Sequence, residues 1–332
     1  GSGKTSILEG IAVMASGKSF RTNQLKHVLA HDNDRMEMRF SIEDPDMGDC
    51  EMESLRLKAG DHLLKLNGSV LTSQAEAAHW LPVQIIEPNT FKLLSGSPEE
   101  RRAFIDWGVF HVEHRFLSAW QRLQKSLKQR NSLLRRGRIE RSLLAPWEAE
   151  LVASGEQIDG FRQAYLQQLK PVFEGVLAEL LQIDGLTLSY FRGWDRERGL
   201  AEVLESQFDR DIALGHTQAG PQRADLRLRV NGMNAAEVLS RGQQKLVVCA
   251  MKIAQGRLLG LMERQRDCVF LVDDLPSELD RHHRQALCRL LESLDCQVFI
   301  SCVDADSLSE CWQADTPLSM FHVEHGHIVQ TE

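Results

Sequence analysis

A chain of 332 residues, 42% hydrophobic and 26% charged, has globular composition and length for two domains, which excludes a disordered polymer. No apolar run approaches the roughly 18–20 residues of a membrane span and no basic-then-apolar leader opens the chain, so a cytoplasmic protein with no membrane partner is expected, its seven cysteines reduced and unpaired. A net charge of −8 excludes coating of nucleic acid by bulk attraction but leaves room for a local basic face.

The chain opens with Gly1-Ser2-Gly3-Lys4-Thr5, the second half of the phosphate-loop pattern G-x-x-x-x-G-K-[ST]. The first glycine and the preceding strand would lie upstream, so the sequence reads as a fragment that starts inside its own nucleotide site. Gly1, Ser2 and Gly3 let the backbone curl until successive N–H groups face phosphate oxygens, helped by the positive end of the next helix. Lys4 then reaches the β- and γ-phosphates of ATP, and the Thr5 hydroxyl ligates Mg2+. Half a motif leaves open a plain small-residue turn before a helix, whose buried face is Ile7, Leu8, Ile11 and Met14. Next, Met36 to Ile42 and Leu55 to Leu57 alternate like half-exposed strands, and Asn67-Gly68 signals a hairpin. Gln84, in the apolar stretch Val83 to Ile86, is a candidate catalytic residue sensing Mg2+ and the attacking water, or a polar residue leaving a strand. Residues 1–91 are expected to form the first part of an α/β head.

Residues 92–186 are expected to form an inserted, mainly helical lid. Phe116, Trp120, Leu123, Leu127 and Leu134 make one apolar stripe, and Gly137, Pro146 and Gly155 interrupt the region. Between Arg115 and Arg141 the only acid is Glu140. Arg122, Lys125, Lys128, Arg135 and Arg136 are candidate DNA contacts, or a solvated helix face. Residues 187–332 complete the head, with strands and turns from Thr187 to Leu239. Ser240, Gly242 and Gln243 then precede a helix with apolar positions Val247, Ala250, Ala254, Leu258 and Leu261. A serine hydroxyl, free N–H groups and the helix dipole make an anion site, or equally a serine cap. Cys268 to Val272 reads as a central parallel strand ending in Asp273-Asp274. Asp273 is placed to hold Mg2+ and Asp274 to orient or deprotonate the attacking water; an acidic helix cap is the alternative. Cys296 to Ser301 is a further strand, followed by Cys302 and Val303. Phe321 to Val329 reads as a hairpin about Gly326 whose His322, His325 and His327 share a face, solvated rather than metal-binding.

Leu239-Ser240-Arg241-Gly242-Gln243-Gln244 resembles the L-S-G-G-Q signature of ABC ATPases, and Ser277-Glu278-Leu279-Asp280 resembles their D-loop. Within that class Gly17 to Thr22, Ser97 to Trp107, Lys128 to Leu134 and Gly220 to Leu226 resemble, in order, segments of the bacterial RecF family. The resemblance implies an ABC-type P-loop head with an inserted helical lid. It also implies a homodimer closed by ATP, in which Ser240, Gly242 and Gln243 of one copy bind the γ-phosphate held by the other. It further implies binding to single-stranded, double-stranded and gapped DNA in recombinational repair and replication. Recombinase loading and mediator partners of the RecO and RecR type belong to the same implication. Three departures stand out. Gln222 replaces a histidine usual in the family, Asp274 stands where most ABC proteins have glutamate, and Cys302-Val303 replaces the switch histidine of transporters. A shorter acid and no histidine predict a weak ATPase used as a switch. A transporter ATPase, an SMC-type ATPase with a long heptad coil, or a scaffold with a decayed ATP site are the rival readings.

Overall fold

The computed structural model describes residues 3–22, 24–29, 33–44, 48–137, 140–263, 267–274, 279–294, 296–304, 308, 310–324 and 326–331. Contacts divide the chain into two units, Gly1–Thr90 with Cys249–Glu332, and Phe91–Val248, where the sequence predicts limits at 91 and 186.

The first unit begins with α1 (Lys4–Ser16), which ends at Gly17 in the left-handed region (φ 68°), a conformation glycine adopts without Cβ strain. Leu8, Ile11, Ala12, Met14 and Ala15 turn inward. Glu9, also buried, accepts from Ser19 and Arg21, so the Gly17 to Thr22 stretch folds back on the helix. Strands β1 (Arg35–Asp44), β2 (Gly48–Leu57), β3 (His62–Leu66) and β4 (Ser69–Val70) form an antiparallel sheet in that order. Asn67 (φ 48°) and Gly68 (φ 77°) make the two-residue turn that the sequence predicts between β3 and β4. Met52, Leu64 and Leu66 of this sheet pack on α1. Helix α2 (Gln74–Trp80) leads into β5 (Val83–Ile86).

The second unit holds α3 (Lys92–Ser95), α4 (Pro98–Val112), α5 (Phe116–Leu134) and α6 (Arg141–Leu180). Phe116, Leu123 and Leu134 of the expected stripe are buried, but Trp120 is 39% exposed, and Ala119, Ser126 and Arg130 complete the inner face. Pro146 and Gly155 do not break the region as predicted; both lie inside α6. Gly155 serves packing there, since a Cβ would come 2.8 Å from Leu200. The segment expected to be strands and turns also contains α-helices. After β6 (Leu186–Phe191) come α7 (Leu200–Ser206) and α8 (Phe208–Leu214), then β7 (Asp225–Val230), β8 (Met233–Asn234) and α9 (Ala235–Val238). The sheet order is β6-β7-β8. Two of the stretches that resemble the RecF family are fastened to one another: Arg101 pairs with Asp225 at 2.7 Å and Arg102 donates to the Ala224 carbonyl at 2.9 Å. Arg162 joins them, bonded to Asp106 at 2.7 Å and to the Pro221 carbonyl at 2.8 Å.

Helix α10 (Arg241–Met262) runs from the second unit back into the first. Strand β9 (Val269–Asp273), α11 (Arg281–Glu292), β10 (Val298–Ser301) and a hairpin of β11 (Met320–Glu324) and β12 (His327–Thr331) follow. The parallel sheet runs β10-β9-β5, in register Ser301↔Asp273 and Ile86↔Val272. Val83, Ile85, Val269 and Leu271 join the α1 core, so α1 covers one face of this sheet. On the other face Phe270, fully buried, lies against α10 at Gly256, where a Cβ would sit 2.5 Å from the ring. Gly256→Ala is therefore expected to lose about 1–2 kcal/mol: overpacking outweighs the roughly 1 kcal/mol that alanine gains in a helix. A urea-unfolding midpoint at or above that of the parent chain would show instead that Phe270 can move aside. Leu261 is 66% exposed and leaves the predicted apolar face of α10, whereas Val247, Ala250, Ala254 and Leu258 are buried. Among the described residues no helix is long and apolar enough to cross a membrane.

Candidate nucleotide site

The ends of the chain meet at the carboxyl edge of the parallel sheet. Gly3, with φ 108°, stands before the first turn of α1, whose leading N–H groups have no acceptor within the helix. From that turn the Thr5 hydroxyl donates to Asp273 Oδ1 at 3.0 Å, across 268 residues of sequence. Asp273 ends β9, 8% exposed, and accepts at the same oxygen from Ser301 Oγ at 2.6 Å. Parallel pairing explains this contact: Ser301 ends β10 directly beside Asp273.

Asp274 has a left-handed backbone (φ 48°). Its N–H donates to Ser301 Oγ at 3.0 Å and to the Ser301 carbonyl at 3.2 Å. Strain of this kind in a residue without glycine's freedom collects at functional sites, although aspartate tolerates the region better than most. Burial pushes the Cys302 thiol up; Lys4 pulls it the other way, and Asp304 and Asp274 push with burial. Lys4 and Asp274 thus each lie within electrostatic reach of Cys302. Gly3 is flanked by the β11–β12 hairpin, since a Cβ there would be 3.6 Å from Val323 Cγ1 and from Gly326 Cα.

The structure brings Lys4, Thr5, Asp273 and Asp274 together with Gly3. Gly1 and Ser2, Ser277 and Glu278 of the predicted D-loop, and His325 lie outside the described residues. Gln84 corrects its expectation. It sits within β5, paired with Phe270, 4% exposed, and donates to Gln255 of α10 at 3.0 Å. Strand alternation therefore turns it to the α10 face, away from Asp273. Ser301, missed in the sequence reading, is the added member. A hydroxyl ending a strand parallel to the Asp-Asp strand is the signal that would have found it.

A hydroxyl and a carboxylate converging beside a helix N-terminus are hard oxygen donors of the kind Mg2+ takes alongside phosphate oxygens. Thr5 and Asp273 fit that ion.

In the second unit Ser240 and Gln243 form a reciprocal box at the start of α10. Ser240 N–H donates to Gln243 Oε1 at 3.0 Å, and Gln243 N–H donates to Ser240 Oγ at 3.3 Å. The segment is thus a serine cap, and it is also an exposed helix start, with Ser240 and Gly242 open to solvent. Of the candidate DNA contacts, Lys125, Lys128, Arg135 and Arg136 are exposed, whereas Arg122 is bonded to Glu150 at 2.9 Å and to Gln157 at 2.8 Å. His322 and His327 are exposed on the hairpin.

The family described as the RecF/RecN/SMC N terminal domain matches residues 1–329. The chain is 56% identical to the DNA replication and repair protein RecF of Stutzerimonas stutzeri, over 99% of this chain and 89% of that protein. It is 55% identical to the protein of the same name from Azotobacter vinelandii, over 100% and 90%. Among solved structures, the recombination mediator protein RecF with ATP, in the RecFOR pathway, aligns over 99% of this chain and 89% of its own with a TM-score of 0.86 at 23% identity. The Smc head domain of Pyrococcus furiosus, bound to the C-terminal domain of ScpA, aligns over 99% and 87% at 0.56 and 15%.

Proposed function

The chain belongs to the RecF family within the RecF/RecN/SMC N-terminal domain class, and from that premise we propose that it is an ATP-dependent DNA-binding protein of recombinational repair and replication. ATP closes two copies into a dimer, the dimer holds DNA at single-strand gaps or single-strand/duplex junctions, and slow hydrolysis releases it. The observation that carries this reading is the Thr5–Asp273 hydrogen bond, which joins the two halves of a nucleotide motif from opposite ends of the chain.

Each residue has a part in that cycle. The first turn of α1 presents N–H groups to the phosphates, and the dipole there favours anions. Lys4 adds a point charge for the β- and γ-phosphates. Thr5 and Asp273 would hold Mg2+, which would supply positive charge against the phosphates, while Ser301 fixes the Asp273 carboxylate. Asp274 orients and accepts a proton from the attacking water. Ser240 of the partner copy exchanges its bond to Gln243 for the γ-phosphate, with Gly242 allowing close approach of the backbone. The exposed Lys125, Lys128, Arg135 and Arg136 meet DNA phosphates; Arg122, drawn back to Glu150, does not contribute. Proteins of the RecO and RecR type are the partners that load recombinase on the held DNA.

Light-scattering mass measured with and without ATP tests the switch. The mass is expected to double with ATP in the parent chain and to stay monomeric in Lys4→Met and Ser240→Arg, the first by lost nucleotide binding and the second with binding retained. A mass indifferent to ATP while nucleotide still binds would favour a scaffold and sink the dimer.

A further inference from the structure

Strand β6 lies at the edge of the β6-β7-β8 sheet, beside a groove of about 460 Å3 in the second unit. One wall is the face of α6 that carries Gln163, Leu166 and Lys170, spaced by one helical turn. The other is Leu188 and Tyr190 of β6, continued by Arg192 and Arg196, with Leu226 of β7 on the floor. Among the described residues that line it there are three cations and no carboxylate.

We infer that this groove and the edge of β6, which pairs with no further strand among the described residues, form a docking site for an extended acidic segment of a partner protein. The segment adds to the sheet as a further strand and sets its carboxylates against Lys170, Arg192 and Arg196. The inference does not depend on the reading of the nucleotide site.

The edge is available by the phase of the ladder. Asn231 N–H donates to the Gly185 carbonyl at 3.0 Å, and Leu186 stands opposite Val230. In an antiparallel pair, hydrogen-bonded positions alternate, so Leu186, Leu188 and Tyr190 turn their N–H and C=O groups outward. The Tyr190 carbonyl shows that direction, accepting from Arg196 Nη2 at 2.9 Å. A short exposed edge is the template that strand addition uses, main-chain bonds giving affinity and alternate side chains giving specificity. Leu166, Leu188 and Leu226 supply an apolar floor for one set of those side chains.

The charge is held in place rather than loosely displayed. Arg192 pairs with the buried Asp159 at 2.9 Å and stacks over the Trp194 ring at 3.9 Å. Gln163, one turn along α6, donates to the same carboxylate at 2.7 Å, and the Arg192–Asp159 pair ties the helix wall to the end of β6. Lys170 has Glu174 at 3.9 Å, with half its side chain exposed. A nucleic acid strand would use the three cations but would leave the backbone edge and the leucine floor unmatched. An acidic peptide uses all three features, so the observations favour it.

The test uses the full chain and a fluorescein-labelled octapeptide alternating aspartate with valine, read by anisotropy. Binding is expected, weakened roughly tenfold or more by Lys170→Glu and by Arg196→Glu. It is also expected to be lost when alternate peptide amides are N-methylated, which blocks strand pairing and leaves charge untouched. Both substituted side chains lie at the surface, and circular dichroism checks that the variants fold. Absence of peptide binding overturns the proposal. So does binding indifferent to N-methylation, which would be charge attraction alone. Displacement of the peptide by a labelled oligothymidylate that responds to the same two charge reversals assigns the groove to nucleic acid and equally overturns it.

Discussion

Asp274→Asn is expected to lower steady-state ATP hydrolysis by about 10²–10⁴-fold, the range associated with a positioned general base, while nucleotide affinity changes little. Asparagine has nearly the shape of aspartate and also tolerates the left-handed backbone seen at Asp274 (φ 48°). Its N–H can therefore keep both bonds to Ser301, and the loss is confined to the carboxylate's basicity. Because the proposed release step follows hydrolysis, the same variant should hold its ATP-dependent dimer for longer than the parent. Hydrolysis and mass measured on one preparation separate the possibilities. A slow variant that also fails to bind ATP would mean that Asp274 supports the loop rather than the chemistry. A rate within a factor of about three of the parent would assign the water to another group, since that is far below the effect of a lost base.

The second large effect lies in the helical unit, outside the candidate nucleotide site. Arg130, with no exposed surface, pairs with the equally buried Asp211 at 2.7 Å and with Glu148 at 2.9 Å, and donates to Thr217 Oγ1 at 2.8 Å. Asn131 next to it accepts from the Thr217 N–H and hydroxyl, at 2.8 Å and 2.7 Å. These bonds tie α5 to α8 and to the turn that follows. Arg130→Met is expected to destabilise the second unit by about 3–5 kcal/mol, because it leaves the fully buried Asp211 carboxylate without its cation, with the Gln218 N–H as its remaining donor. The double change Arg130→Met with Asp211→Leu should recover a substantial part of that loss, since replacing both partners of a buried pair with apolar groups is often neutral. Chemical denaturation followed by the change in tryptophan fluorescence reads both. If the single variant lost less than about 1 kcal/mol, the typical net worth of one ordinary hydrogen bond, water would have to reach Asp211 and the buried-pair account would fail.

Much of the candidate nucleotide site was legible because its pattern is local. A glycine, lysine and threonine before an apolar helical period match half of a phosphate loop, and two acids after a buried strand match a metal-holding edge. Local pattern likewise announced the Asn67-Gly68 turn, β1, β9 and the helical character of the region after Pro98, since turn chemistry and side-chain period need no distant partner. The RecF-like stretches were legible as a resemblance only. Their physical role emerged from the fold, where Arg101, Arg102 and Arg162 hold the Pro221 to Asp225 segment against α4. An arginine in a sequence does not say whether it faces solvent or a buried acid, so Arg130 fell inside a basic run while its guanidinium was serving the core.

What only the tertiary structure decided has one common cause, the pairing of segments far apart in sequence. Parallel register put Ser301 beside Asp273 and, through strand alternation, turned Gln84 to the opposite face of the sheet and onto Gln255. Burial of Leu200, Val203 and Leu204 goes with the helix α7 in a stretch expected to hold strands and turns. The order β6-β7-β8 left β6 at an edge, and no periodicity within β6 could have told an edge strand from a central one, because that distinction lies in which neighbour is absent.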